Sequence, residues 1–384
     1  MVSKKKIVLL LTIILIVGIF TGFLWNNFIA ERQDNLTSYN LSEIENGSGS
    51  EAFATIIANN LVIPWSINFL PDGSIIFTER PGRIQMIDVE QGQLQKPLLT
   101  IDEVAHSGEG GLLGITLHPD FSDNHWVYVY YTYEDGENTA NKVVRFEKNK
   151  RNLVNKTTII DDIPGSFIHN GGRIKFGPDG YLYITTGDSA NGELAQNKNS
   201  LAGKILRLED DGSVPKNNPF PDSPIYSLGH RNPQGLAWDK QDRLWSTEHG
   251  SSATDELNLI KPGNNYGWPV IQGDETSTGL ENPVIHSGSQ TWAPSGAAYL
   301  NGSVYFAGLR SQSLYEAEIG DNKSIDLKRH LKRKFGRLRG VVVGPDDFLY
   351  IFTSNRDGRG VPTENDDQII RINPKNLSTS TDNN

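Results

Sequence analysis

The sequence predicts an all-β fold: a six-bladed β-propeller of four-stranded antiparallel blades, preceded by an N-terminal transmembrane or signal helix. Three observations predict it. A strand–turn–strand phrase recurs along the chain, 38 glycines supply many tight turns, and helical periodicity is hard to find after the first thirty residues. A single blade leaves its faces uncovered, so neighbours must stack, and a closed ring removes the open sheet edge.

The elements follow in order. Lys4-Lys5-Lys6 precedes an apolar run over residues 7–25. A helix of that length covers about 28 Å, enough for a bilayer core, and no A-x-A cleavage site follows. The positive flank holds the N-terminus in the cytoplasm and sends the rest of the chain outside it. Residues 1–30 are therefore expected to be a membrane anchor, with a cleaved signal peptide and secretion as the alternative. Residues 31–52 are polar and read as a flexible linker. The propeller is expected over 53–375, and a frayed polar tail over 376–384.

Within the propeller, Phe69-Leu70-Pro71-Asp72-Gly73-Ser74-Ile75-Ile76-Phe77-Thr78 is one copy of the phrase. Phe176-Gly177-Pro178-Asp179-Gly180-Tyr181-Leu182-Tyr183-Ile184-Thr185 and Val343-Gly344-Pro345-Asp346-Asp347-Phe348-Leu349-Tyr350-Ile351-Phe352-Thr353 are two more. Looser copies begin at Leu117-His118-Pro119-Asp120, Trp238-Asp239 and Tyr299-Leu300-Asn301-Gly302. Proline presets the turn, and glycine or aspartate accepts its unusual dihedral angle. Six copies, roughly every 45–60 residues, suit one four-stranded blade each.

Composition narrows the chemistry. A formal net charge of −10 argues against nucleic acid as a partner. The absence of cysteine excludes disulfides, thiolate metal sites, iron–sulfur clusters, a cysteine nucleophile and covalently attached haem. There is no GxSxG elbow, P-loop, HExxH or strand–GxGxxG–helix unit.

Four segments beside the repeats carry candidate chemistry. His169 lies in a glycine-rich turn and is a candidate general base, and Asp188 ends the same hairpin, within reach to orient the imidazole. Arg231 and Asn232 are two adjacent donors suited to polarising a carbonyl. Glu248-His249-Gly250-Ser251, followed by Asp255, Glu256 and Tyr266, offers carbonyl and carboxylate oxygens to a hard cation such as calcium. Arg337 and Arg339 alternate on one strand face, with Arg310 near them; two guanidiniums on one face call for an anion between them. Taken singly, each segment also reads plainly: a backbone-bonded histidine, a salt bridge with an Asx turn, an acidic turn, a solvated face.

Together the motifs resemble a family. Gly108-Glu109-Gly110-Gly111-Leu112-Leu113-Gly114, His169 with Gly171-Gly172-Arg173, Gly229-His230-Arg231-Asn232-Pro233-Gln234-Gly235, Asp255-Glu256-Leu257-Asn258-Leu259, Asn265-Tyr266-Gly267-Trp268-Pro269 and Arg337-Leu338-Arg339 are similar to the soluble PQQ-dependent aldose (glucose/sorbosone-type) dehydrogenases. The likeness runs over nearly all of residues 54–374. It implies PQQ and Ca²⁺ as cofactors and oxidation of an aldose at its anomeric carbon to the lactone. An external acceptor, a quinone or a cytochrome, would take the electrons. It implies that His169 is the base, Asp188 its orienting carboxylate, and Arg231 and Asn232 the groups that polarise the cofactor carbonyls. Glu109, Arg310, Arg337 and Arg339 fall at cofactor-binding positions. Gly250 and Ser251 fall at the positions that hold the cofactor's calcium, and Asp255, Glu256 and Tyr266 at a second, structural calcium site. The chain departs from the family pattern at Glu109 and Glu193, which replace glutamines, at Arg310, which replaces a lysine, and at Ile168. Two other functions fit the same mouth: a non-redox module binding glycans or a protein partner, and a calcium-dependent lactonase-like hydrolase.

Overall fold

A computed structural model describes residues 52–379, apart from 89–92, 95 and 321–323. Twenty-five strands assemble into six antiparallel sheets. The first blade holds β2 (Pro64–Phe69), β3 (Ile75–Glu79), β4 (Arg83–Asp88) and β5 (Gln93–Leu94), with β6 (Leu99–Thr100) also paired to β4. The second holds β7 (Leu112–Leu117), β8 (Trp126–Asp135), β9 (Asn138–Lys148) and β10 (Leu153–Pro164). The third is β11 (Ile174–Phe176), β12 (Leu182–Thr186), β13 (Lys204–Leu208) and β14 (Ile225–Leu228). The fourth is β15 (Pro233–Trp238), β16 (Leu244–Glu248), β17 (Glu256–Ile260) and β18 (Ile285–His286). The fifth is β19 (Pro294–Leu300), β20 (Ser303–Gly308), β21 (Ser313–Ile319) and β22 (Ile325–His330). The last contains β23 (Leu338–Val343), β24 (Leu349–Thr353) and β25 (Ile369–Ile372), and takes its outer strand, β1 (Ala54–Ala58), from the other end of the propeller. Ala54 faces Ile372 in that pairing, which closes the ring.

The blades are the expected ones, with one difference: the first has five strands rather than four. Inner strands are covered on both faces by neighbouring blades. They therefore read as continuous apolar or small-residue runs, and β12, Leu182-Tyr183-Ile184-Thr185-Thr186, is buried throughout. Trp65, Leu113, Tyr130, Ile174, Ile184 and Leu206 belong to one cluster that spans three blades. Burial of such side chains contributes about 1.5–3 kcal/mol each.

Every copy of the repeated phrase falls between the first and second strands of a blade. Gly73 and Gly180 take φ of 85° and 83° there, and Asp347 takes 60° in the copy that lacks the glycine. At Leu117-His118-Pro119-Asp120 the turn is extended by the short helix α1 (Phe121–Asn124). All six turns lie at one end of the propeller. The connections at the opposite end form the mouth, and they include residues 165–173, 187–203, 229–232, 249–255 and 354–368.

The expected anchor over 1–30 and nearly all of the linker over 31–52 lie outside the described residues, as do residues 380–384 of the tail. Among the described residues no helix is long and apolar enough to cross a membrane.

Candidate active site

Two crossovers place the central pair. β10 leads into the turn carrying His169, and β12 leads into Asp188. His169 Nδ1 donates to Asp188 Oδ1 at 2.7 Å, and the carboxylate is buried. His169 itself has φ of 60°. Its strained backbone is held from several sides. Its N–H donates to Glu109 Oε2 at 3.0 Å, the next residue's side chain bridges Ser166, and Gly171 N–H donates to Asn232 Oδ1 at 3.0 Å. Asp188 also accepts from Ala190 N–H at 2.9 Å and from the Trp268 indole at 2.8 Å. With Nδ1 committed to the Asp188 carboxylate, Nε2 is the imidazole atom left to take a proton.

Arg231 and Asn232 follow β14. The Arg231 backbone carbonyl accepts from Asp188 N–H at 2.8 Å, which joins the third and fourth blades at this point. Its guanidinium donates to His249 O at 3.3 Å and lies 5.3 Å from the Trp268 ring centre. Burial lowers its pKa, countered by the charges of Asp188 and Glu109.

The arginine pair differs from expectation in one respect. The anion between Arg337 and Arg339 is the chain's own Asp357, at 2.8 Å from Arg337 Nη2 and 3.6 Å from Arg339 Nη2. Arg339 also donates to Gln234 Oε1 at 3.0 Å. Its pKa is pushed down to about 9 by burial, against the opposing charge of Asp357. Arg310 is exposed and does not line the cleft; its neighbour Leu309 does. Two guanidiniums that sequence reading left out, Arg80 and Arg359, do line it. Arg359 pairs with Glu109 at 2.6 Å. Glu109 is accordingly no bare charge. Burial pushes its carboxyl up, but the His169 amide and Arg359 outweigh that and hold it at about 2.

Arg80, Asp188, His249 and Asp357 share a signal. Each lies within a few residues of the end of a blade's second strand, where the chain turns into the mouth. That register, set by the repeat, would have pointed to Arg80 and Asp357 as well. Trp268 had no such signal; it follows the third strand of its blade by eight residues.

The narrow cleft lined by Trp65, Arg80, Glu109, His249, Arg339, Asp357 and Arg359 encloses about 400 Å³ between atoms, open solvent included; His169, Asp188, Arg231, Asn232 and Arg337 are not among its lining residues. Several buried polar atoms have no hydrogen-bond partner among the described residues: His249 Nε2 and Arg339 Nε on residues that line the cleft, and Arg231 Nε, Asn232 Nδ2 and Arg173 Nη2 on residues outside its lining. Buried polar groups without partners are costly unless a ligand or solvent meets them. The set fits a flat, polycarboxylate, carbonyl-bearing group.

The calcium positions are mixed. The carbonyl oxygens of Gly250 and Ser251 accept no hydrogen bond from the described residues, which leaves both lone pairs free for a cation. Asp255 is engaged instead by the N–H groups of Gly250, Trp292 and Ala293, which pins two mouth loops together. Glu256 is driven up to about 8 by burial and the nearby Glu248 charge. The Tyr266 phenol is used internally, donating to Leu259 O at 2.7 Å, while its ring stacks on His230 at 4.8 Å. Only its backbone is left for a metal. Among the described residues no group of three or more His, Asp or Glu side chains is gathered to hold one.

Fold and site together define a propeller enzyme whose mouth joins an oriented imidazole to a band of guanidiniums. Comparison with known proteins makes this specific. The family described as "Glucose / Sorbosone dehydrogenase" matches residues 61–370. The PQQ-bound form of an aldose sugar dehydrogenase from Streptomyces coelicolor superposes with a TM-score of 0.78 at 42% identity, covering 83% of this chain and 96% of that one. Aldose sugar dehydrogenase YliI of Escherichia coli is 29% identical over 84% of this chain and 92% of its own. Quinoprotein glucose dehydrogenase B of Acinetobacter calcoaceticus is 34% identical over 58% of this chain and 54% of its own. The chain belongs to the glucose/sorbosone dehydrogenase family.

Proposed function

We propose that this protein oxidises an aldose at its anomeric carbon to the lactone, using PQQ with calcium and passing electrons to a separate acceptor. The observation that carries this reading is the His169–Asp188 hydrogen bond at the propeller mouth, where guanidiniums of Arg80, Arg339 and Arg359 line the cleft.

Bound PQQ supplies the hydride acceptor, and calcium supplies Lewis-acid polarisation. The chain's own residues do the rest. Asp188 fixes the imidazole tautomer and stabilises the imidazolium that forms as His169 Nε2 takes the proton of the anomeric hydroxyl. Arg231 and Asn232 would present donors to oxygen atoms that gain charge. Arg339, with Arg337 beside it, would bind carboxylates, and Arg80 and Arg359 add positive potential. Carbonyl oxygens of Gly250 and Ser251 would hold the calcium that accompanies the cofactor. Asp255, Glu256 and the Tyr266 backbone would serve a second calcium only if the Asp255 carboxylate gave up its backbone N–H partners and Glu256 lost its proton. The Lys4-Lys5-Lys6 flank before the apolar run supports placement of the propeller outside the cytoplasm.

The test is reconstitution of the purified protein with PQQ and Ca²⁺, followed by dye-coupled assay against a panel of aldoses. Wild-type protein is expected to reduce dye with at least one aldose. His169→Ala is expected to lose at least about 100-fold in kcat while still binding PQQ. No spectral change and no activity on adding PQQ with Ca²⁺ would remove the redox reading. Lactone hydrolysis without PQQ would replace it with the hydrolase.

A further inference from the structure

Trp268 belongs to the fourth blade, yet its side chain reaches the catalytic pair of the third. The indole Nε1–H donates to Asp188 Oδ2 at 2.8 Å. The other oxygen, Oδ1, receives His169 Nδ1 at 2.7 Å and Ala190 N–H at 2.9 Å. Each carboxylate oxygen therefore has its own donor. The two sets oppose rotation of the carboxylate about its terminal torsion, which is otherwise soft.

The indole is itself held in place. Trp268 N–H donates to Gly229 O at 2.9 Å, and Gln196 Nε2 donates to Trp268 O at 2.6 Å. Gly192 packs so close that a Cβ there would sit 3.0 Å from Nε1. The same ring lies 5.3 Å from the Arg231 guanidinium. One side chain thus touches both the carboxylate behind the base and the cation placed to polarise the cofactor.

We propose that Trp268 is a positioning residue: its indole N–H fixes Asp188, and through Asp188 it fixes the tautomer and aim of His169. The inference rests on the function proposed above, in which His169 is the base. Removing this donor is expected to cost about tenfold in kcat.

Two variants separate the N–H from the ring. Trp268→Phe removes the donor and part of the shape. Replacement of Trp268 by benzothienylalanine keeps the bicyclic shape and removes only the donor. The first readout needs no cofactor: the exchange-protected downfield NMR resonance of the His169 Nδ1 proton. It is expected to shift or vanish in both variants while the remaining spectrum stays that of the folded protein. The second readout is steady-state kinetics of the PQQ- and calcium-loaded protein, where kcat should fall about tenfold with KM within about twofold. An unchanged resonance and unchanged kcat in the benzothienylalanine protein would overturn the proposal, whatever Trp268→Phe does to folding. If loaded wild-type protein oxidises no aldose, the functional reading fails separately, and the resonance still decides whether Trp268 governs the His169–Asp188 pair.

Discussion

His169 sits at φ of 60°, a region that costs a non-glycine residue roughly 1 kcal/mol or more unless its surroundings enforce it. Glu109 is one of the groups that enforce it, through the His169 amide, and Arg359 keeps Glu109 ionised. This gives a pH prediction with a definite sign. Glu109 has a folded pKa of about 2 against an ordinary 4.5, so its ionised form stabilises the fold. That contribution is fully present above pH 4.5 and is lost as pH falls toward 2. Glu109→Gln keeps an acceptor for the amide but removes the charge. In urea unfolding the stability gap between wild type and this variant is expected to be largest near neutrality, at most ~3 kcal/mol, and to shrink between pH 4.5 and 2. A gap that stays constant across that window would show that the Glu109 charge does not stabilise the fold.

The elements that matter most here are the mouth turns rather than the strands. The turn after β10 threads Asn170 and Gly171 against the end of β12. Gly171 has φ of 61°, and a Cβ on it would lie 2.5 Å from the Thr185 carbonyl oxygen. Gly171→Ala therefore strains the turn and must move the neighbouring His169. The expected result is a stability loss of about 2 kcal/mol or more in urea unfolding, with a disproportionate loss of activity in the protein that remains folded. Full activity at reduced stability would detach the turn's geometry from the chemistry. A second element, the segment following β24, carries both Asp357 and Arg359. It binds the arginine pair on one side and Glu109 on the other.

At the scale of the whole molecule, the ring is closed by both ends of the propeller. β1 completes the blade built from β23, β24 and β25. Asp367 reinforces the seam: its carboxylate accepts from the N–H groups of Ile63 and Asn355 and from the Thr353 hydroxyl, and its backbone pairs with Leu61. Asp367→Ala leaves several buried donors unmet, so a loss of about 3 kcal/mol in unfolding free energy is expected, detectable as a lower urea midpoint. An unchanged midpoint would mean that β1 pairing alone secures the closure.

Much of this was legible in the sequence, because each blade repeats one turn with a visible chemical cause. Proline, aspartate and glycine at fixed spacing marked the first hairpin of two blades, looser versions of the same turn marked the other four, and the mouth segments followed by position. His169 with Asp188, and Arg231 with Asn232, were found because each pair sits near a turn in the chain. Asp357 lies only 20 residues from Arg337 and was passed over because the register at the end of the second strand was not used; Arg359 was not found because its partner Glu109 is 250 residues away and meets it only in the folded ring. Trp268 was missed for the same reason: its contact with Asp188 crosses from one blade to the next over 80 residues of chain. Arg310 is exposed, and its direction was not legible because adjacency to a blade does not fix which way a loop side chain faces.

The central claim is that one imidazole at the propeller mouth removes the sugar proton while hydride leaves for a bound quinone. Anaerobic single-turnover reduction of the PQQ-loaded protein by a reactive aldose, with and without deuterium at the anomeric carbon, tests it directly. Wild-type protein should reduce its cofactor with a clear primary isotope effect. His169→Ala, loaded to the same extent, should do so at least about 100-fold more slowly. Equal rates in the two proteins, or no cofactor reduction in the wild type, would contradict the account.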